Sequence, residues 1–393
     1  MAFILALLQL SSVGAAQSSS GSSILLPSPE GPYGTNIKII EAIHHSRTDP
    51  YDPSGGPRRL MTSVFYPTGP IANCQAEQSQ YIPTTSSPIL AALLERYGVP
   101  NMTAPLKNFV LPVCEASPPE DVRGEHDNTE TFPVVLFSHG LQTSRLLSSS
   151  QAQAVASYGY VVITIDHPFD AWVVVYADGT VVRNAQFATP QDLDEDINVR
   201  SKDASFIADQ LSVAGSAFAD LPIQAPVEQV GIFGHSLGGA SSARAAFDDE
   251  RFAGAVDLDG YPYGFNTTGN YSNSVFEVPQ IDAPFLLLNG EDEVDLPPYV
   301  QFFDAFTQWK KQLGLAGAQH LTFTDVSMLV DAAGLRDRVS EDAIALVGML
   351  DGRRARDIVA SYVAAFMDMA IKKKDAPLLE GPDVKYPEVA FVR

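Results

Sequence analysis

The chain has 393 residues, 45% hydrophobic and 18% charged, which is enough apolar material for one large α/β domain or two smaller ones. Its 47 acidic and 25 basic side chains leave a formal net charge of −22, so it lacks the positive field that gathers nucleic acid or anionic lipid, and this argues against nucleic acid as a partner. No stretch reaches the ~18 consecutive apolar residues of a membrane span, so no transmembrane segment is expected.

Residues 1–20, MAFILALLQLSSVGAAQSSS, join an apolar run to small residues at Gly14 and Ala16. This reads as a signal peptide over residues 1–16, followed by a flexible Ser-rich segment over 17–30 and a single domain over 31–393. Residues 36–43 and 59–66 read as strands. Residues 67–130, rich in Pro, Ser and Thr, read as a long excursion wrapping the outside. The two cysteines, Cys74 and Cys114, both fall in it, an even count that suits one disulfide worth roughly 3–4 kcal/mol. Glycosylation sequons stand at Asn101 (NMT), Asn266 (NTT) and Asn270 (NYS). Leader, cysteine pair and sequons together point to a secreted, extracellular glycoprotein.

Five further runs read as strands: FPVVLFSHG (132–140), YVVITIDHP (160–168), QVGIFGHS (229–236), FAGAVDLDG (252–260) and FLLLNGEDE (285–293). Each runs into Gly, Asp, Glu or His. Residues 191–211 read as a helix in which Arg200, Asp203, Phe206 and Asp209 recur every three positions. Residues 299–313 and 339–374 read as helices too, the latter broken near 351–352. This alternation predicts an α/β fold with a mostly parallel sheet covered by helices on both faces, its polar strand ends gathered at one edge. Residues 169–189 are placed where a lid would lie, a point the sequence leaves open.

Gly234, Ser236 and Gly238 make G-x-S-x-G between a strand and a helix that begins GGASSARAAF. On such a sharp turn the central residue is strained, and only small residues two positions either side avoid a clash. The turn lifts a hydroxyl above the sheet edge, where the following helix's N–H groups favour developing negative charge. Ser236 is thus the candidate nucleophile, and it needs a base. Of the seven histidines, His44, His45, His126, His139, His167, His235 and His320, only His320 follows it, as the order Ser, acid, His of α/β-hydrolases requires. Two places qualify for the acid, Asp259 in VDLDGYP and Asp292 in LLLNGEDE, with Asp257 and Asp295 nearby; spacing alone favours Asp292. Candidate oxyanion-hole donors are the N–H groups of Leu237 and of Leu141 in FSHGL, with His139 bracing that loop. The Asn-rich stretch 266–273 lacks EF-hand spacing, and no metal or cofactor is expected.

These motifs resemble the secreted, plasma-type (group II) platelet-activating-factor acetylhydrolases and their fungal relatives, within the α/β-hydrolase superfamily. The likeness spans residues 59–374 and rests on FSHGL, on DHP at 166–168, on GHSLGGA followed by RF-x-G-x-x-x-LD, and on HLTFTD at 320–325. The resemblance implies a triad of Ser236, His320 and Asp259, the aspartate of the LD pair replacing Asp292, with oxyanion donors on Leu141 and Leu237. It also implies cofactor-free hydrolysis of short-chain carboxylic esters through an acyl-enzyme, as by a 1-alkyl-2-acetylglycerophosphocholine esterase, on a small-molecule or lipid ester. A cutinase-like or polyester hydrolase, or a catalytically silent binding protein on the same fold, are the alternatives.

There are departures. The family has a strand just before its histidine, whereas KQLGLAGAQH (311–320) is rich in Gly and Ala and does not read as one. GYPY follows the acid where animal members have a Trp-containing stretch, and no basic or amphipathic segment for docking on lipoprotein is evident. Leu141, Leu237, Tyr261, Tyr263, Phe265 and Trp172 are the candidate lining of a small acyl pocket. The oligomeric state is not legible in the sequence.

Overall fold

Strands that are apolar on both faces must be covered on both faces. In the computed structural model, which describes residues 22–115, 130–187, 189–224, 227–269 and 274–393, the five apolar runs occupy the middle of one sheet. The signal peptide and Asn270 lie outside the described residues. The sheet strands are β1 (Tyr33–Thr48), β2 (Pro57–Pro70), β3 (Val134–Ser138), β4 (Val161–Asp166), β5 (Val230–His235), β6 (Phe252–Leu258), β7 (Phe285–Gly290), β8 (Lys310–Leu315) and β9 (Val389–Phe391). Their spatial order is β9-β8-β7-β6-β5-β3-β4-β2-β1. Strands β3 to β8 pair in parallel, while β1, β2 and β9 run antiparallel to their neighbours.

Side chains alternate across a strand, and here the alternation sorts them into two cores. Val135, Phe137 and Phe233 face one apolar cluster, with α1 (Ser149–Ala156) and α4 (Gly352–Ala370). Val134, Leu136 and Ile232 face the other, with α2 (Pro190–Leu211) and α3 (Leu237–Asp248). Helix α2 starts where a capping box allows it to: the Thr189 hydroxyl accepts from Asp192 N, and the Asp192 carboxylate accepts from Thr189 N.

The excursion does more than wrap the outside. Its strands Ala76–Gln80 and Phe109–Cys114 form a small sheet with Ile24–Leu25, and Leu90, Leu94 and Leu106 from its helices are buried in the cluster beneath α1 and α4. Cys74 and Cys114 are bridged, with Cα atoms 5.2 Å apart. Closing 40 residues of chain contributes about 4 kcal/mol on loop-entropy grounds. Part of the expected flexible segment is also held: Leu26 is buried, and the carbonyls of Pro27 and Ser28 accept hydrogen bonds from the buried Arg356 at 2.6 and 3.0 Å.

One sequence reading is corrected. The helix expected over 299–313 is a short helix, Pro297–Ala305, followed by strand β8, so the histidine does have a strand before it. Gln312 and Gly314 hid the strand pattern. Gln312 is buried because its amide donates to Asn289 Oδ1 at 3.1 Å and to Val294 O at 2.9 Å. The span 339–374 is helical with the break expected near 351–352, as Glu341–Val347 and α4. They are separated where Gly348 takes φ 76° and the Asp351 carboxylate accepts from Arg354 N.

Of the every-third residues of α2, Arg200, Asp203 and Phe206 are buried, whereas Asp209 is exposed and pairs with Arg251. Arg58 of β2 is fully buried and donates to both Asp203 oxygens, at 2.7 and 3.1 Å, and to Asp49 at 2.9 Å. His167 Nδ1 meets the same Asp203 at 2.9 Å. Burial alone would raise the Asp203 carboxyl's pKa, but the Arg58 guanidinium and the His167 hydrogen bond outweigh it and hold it far below the usual range.

A carboxylate depressed in this way stabilises the fold above its unfolded pKa of about 3.9, and that contribution fades as pH falls towards the folded value. Asp203→Ala should therefore cost about 3–5 kcal/mol in denaturant unfolding at pH 7, and the gap to the parent protein should narrow below pH ~4.

Candidate active site

Ser236 sits at the β5–α3 junction with φ 57° and ψ −124°, a backbone conformation that side chains rarely adopt. Close approach explains its glycines. A Cβ at Gly234 would lie 2.2 Å from the Gly238 carbonyl oxygen, and one at Gly238 would lie 2.0 Å from that of Ser138. The hydroxyl therefore stands at the carboxyl edge of the sheet, at the amino end of α3.

The parallel strands bring three distant residues together at that edge. His320 follows β8 in a 3₁₀ turn, and its Nε2 lies 2.9 Å from Ser236 Oγ. Its Nδ1 lies 2.7 Å from Asp259 Oδ2. Asp259 follows β6 with φ 61° and accepts from Gly290 N at 3.3 Å. Burial would raise its pKa, but the hydrogen bond and charge of His320 outweigh burial and hold it below the ordinary value. Asp292, favoured by spacing, is exposed in the turn after β7, and its neighbour Glu293 turns inward to the Tyr299 hydroxyl at 3.2 Å. Asp295 pairs with Arg393. Asp257 is buried beneath the elbow and accepts from Gly260 N at 2.7 Å; burial and the charge of Asp259 push it well above the carboxylate range, so it stays neutral.

His235, next to the serine, carries a role the sequence reading missed. Its Nε2–H donates to the backbone carbonyl of His320 at 2.8 Å, tying the His320 turn to the elbow. Burial, with the nearby His320 charge, lowers its pKa to about 3, so the ring stays neutral. His139 is fully buried, with Nδ1 2.7 Å from the Gly140 carbonyl and Nε2 accepting from His167 N at 3.2 Å. Both nitrogens are used, which fits a brace and not a base. In DHP, Asp166 accepts from Arg145 N at 2.8 Å, and His167 Nε2 meets Ser138 Oγ at 3.0 Å. Asp325 of HLTFTD accepts from Ser150 N and Gln151 N at the start of α1, and from Tyr81. Its pKa is pushed up by burial to about 6.

Leu141 and Leu237 lie together in an apolar cluster with Tyr261 and Tyr263, as expected of pocket residues, and with Phe187 and Phe276, which were not anticipated. Phe265 and Trp172 belong elsewhere. Phe265 packs against Phe247 and Phe302, and the Trp172 indole donates to Ile89 O under the Arg96 guanidinium. Asn101 and Asn266 are exposed. No group of His, Cys, Asp or Glu among the described residues is arranged to hold a metal ion. No helix among them is long and apolar enough to cross a membrane.

The elbow leaves no room at its glycines. Gly238→Ala should destabilise the fold by about 1–3 kcal/mol and displace the Ser236 hydroxyl, read as a lower melting temperature.

The model of the family described as "Platelet-activating factor acetylhydrolase, isoform II" matches residues 56–205 and 215–376. A protein of Arthroderma benhamiae, described as a probable 1-alkyl-2-acetylglycerophosphocholine esterase, is 30% identical over 388 residues, covering 96% of each chain. The platelet-activating factor acetylhydrolase of Canis lupus familiaris is 23% identical over 297 residues, 65% of this chain and 64% of its own. Among solved structures, a ferulic acid esterase from Streptomyces cinnamoneus matches with a TM-score of 0.74 and 26% identity, covering 95% of this chain and 100% of the other. With its parallel sheet between two helical layers and these relatives, the chain is an esterase of the α/β-hydrolase fold and belongs to the platelet-activating factor acetylhydrolase, isoform II, family.

Proposed function

We propose that the protein is a secreted serine esterase acting on short-chain carboxylic esters, with Ser236, His320 and Asp259 as its triad. The observation that carries this reading is the continuous relay in which His320 lies 2.9 Å from Ser236 Oγ and 2.7 Å from Asp259. His320 Nε2 takes the Ser236 proton as Oγ attacks the ester carbonyl, and the new oxyanion accepts from the N–H groups of Leu141 and Leu237. The imidazolium returns its proton to the departing alcohol, leaving an acyl-serine. A water, deprotonated by the same imidazole, then repeats the attack and releases the acid. Asp259 keeps the proton on Nδ1, so that Nε2 is free to act as base, and stabilises the imidazolium.

Secretion is supported by the leader over residues 1–16, the Cys74–Cys114 bridge and the exposed sequon asparagines Asn101 and Asn266. A short acyl group is supported by the aromatic cluster around the two donor leucines, where Tyr263 and Phe276 are buried against each other. The Arthroderma benhamiae relative is described as a probable 1-alkyl-2-acetylglycerophosphocholine esterase, and an acetyl ester is in keeping with that size.

Ser236→Ala should abolish turnover of p-nitrophenyl acetate and labelling by a fluorophosphonate, with the fold retained by circular dichroism. Asp259→Asn should lower kcat by about 10⁴-fold and Asp292→Asn should leave it near the parent value; the reverse pattern would move the acid to Asp292. Across p-nitrophenyl esters, kcat/KM should fall steadily from acetate to palmitate, and a long-chain optimum would remove the short-acyl assignment.

A further inference from the structure

The Gly140–Leu141 peptide supplies one donor of the reading above, yet no triad side chain holds it. A trans peptide carries its C=O and N–H on opposite sides, so whatever fixes the Gly140 carbonyl also fixes the direction of the Leu141 N–H. Three donors converge on that carbonyl oxygen: His139 Nδ1 at 2.7 Å, Thr143 Oγ1 at 2.9 Å and Thr143 N at 3.1 Å. Gly140 itself passes beside the nucleophile, where a Cβ would lie 3.3 Å from Ser236 Cβ and 3.0 Å from His235 Nδ1. A glycine at this point is free to let the peptide rotate, which would present a carbonyl to the oxyanion in place of a donor.

The flanks of the loop are tied separately. Arg200 Nη1 donates to the His139 carbonyl at 2.5 Å, Gln142 N donates to Asp170 Oδ1 at 3.0 Å, and Arg200 and Asp170 form an ion pair. His139 and Arg200 also support His167 and Ser138, so replacing either disturbs the buried network as a whole. The Thr143 hydroxyl is different. It has one proton, and that proton goes to the Gly140 carbonyl.

We propose that Thr143 is a positioning residue for ester hydrolysis, its hydroxyl locking the Gly140–Leu141 peptide with the Leu141 N–H aimed at the oxyanion before substrate arrives. This rests on the serine mechanism proposed above. Thr143→Val keeps the side-chain shape and removes the donor, and Thr143→Ser restores it. With p-nitrophenyl acetate, Thr143→Val should lose about tenfold or more in kcat, approaching the ~10²–10³ of a deleted oxyanion donor, with KM within about twofold of the parent. Affinity for a trifluoromethyl ketone, whose adduct carries the oxyanion, should fall in step with kcat, and Thr143→Ser should recover most of both. If Thr143→Val does not fold by circular dichroism, Thr143→Ala serves as the variant without the donor. An unchanged kcat in the variant lacking the hydroxyl overturns the proposal, as does a loss that Thr143→Ser fails to recover. Absence of fluorophosphonate labelling in the parent protein would instead overturn the serine mechanism itself, so the two failures are distinguishable.

Discussion

The hydrogen bond between His320 and Ser236 joins residues 84 positions apart, and it exists because β5 and β8 run parallel and end at the same edge of one sheet. In a parallel sheet every strand delivers its last residue to a common rim, so short turns after β5, β6 and β8 are enough to gather a hydroxyl, a carboxylate and an imidazole. The rest of the structure keeps those turns still. His235 ties the His320 backbone to the elbow, Gly290 N steadies Asp259, and the glycines let backbone pass where no side chain fits.

Neighbouring carboxyl groups show how finely burial and partners divide similar chemistry. Asp257 and Asp259 lie two residues apart at the end of β6, and because residues two apart share a face of a strand, it is the turn at Asp259, with φ 61° just past Leu258, that gives them different surroundings. Asp257 lies under the elbow, where among the described residues it accepts from the Gly260 N–H, and burial pushes its pKa well above the usual value. Asp259 is buried as well, but the imidazole beside it outweighs the desolvation and keeps the group ionised. A carboxylate opposite His320 and a neutral acid bracing the turn below it are thus set by environment, not by residue type.

Helix α2 links the site to the body of the fold through its polar face. Arg200 holds the loop after β3, while Asp203 gathers Arg58, Arg47 and His167 beneath the ends of β2 and β4. Such a buried network is worth little net stability compared with apolar packing, but breaking one member strands the others, so the geometry it specifies is kept. The same helix turns Leu193 and Ile197 into the apolar cluster around Leu141 and Leu237. One element therefore places both a charged clamp and a wall of the candidate pocket.

Local chemistry was legible in the sequence. G-x-S-x-G marked the elbow because only glycine tolerates those contacts, five apolar runs marked the central strands, and chain order left His320 as the partner for Ser236. Strand β8 escaped notice because Gln312 and Gly314 interrupt its apolar pattern, a Gln being tolerable there only with partners supplied by β7 and the turn beyond it. Spacing pointed to Asp292 and the family resemblance to Asp259, since both aspartates follow parallel strands, and the three-dimensional turns send Asp259 to the imidazole and Asp292 to solvent. Phe265 and Trp172 were assigned to the wrong neighbours for the same reason. Residue type and local periodicity determine which strands, turns and reactive groups can form, because they depend on contacts a few residues apart. Which side chains meet is decided by tertiary structure, because it depends on which strand ends and loops the sheet brings to the same place.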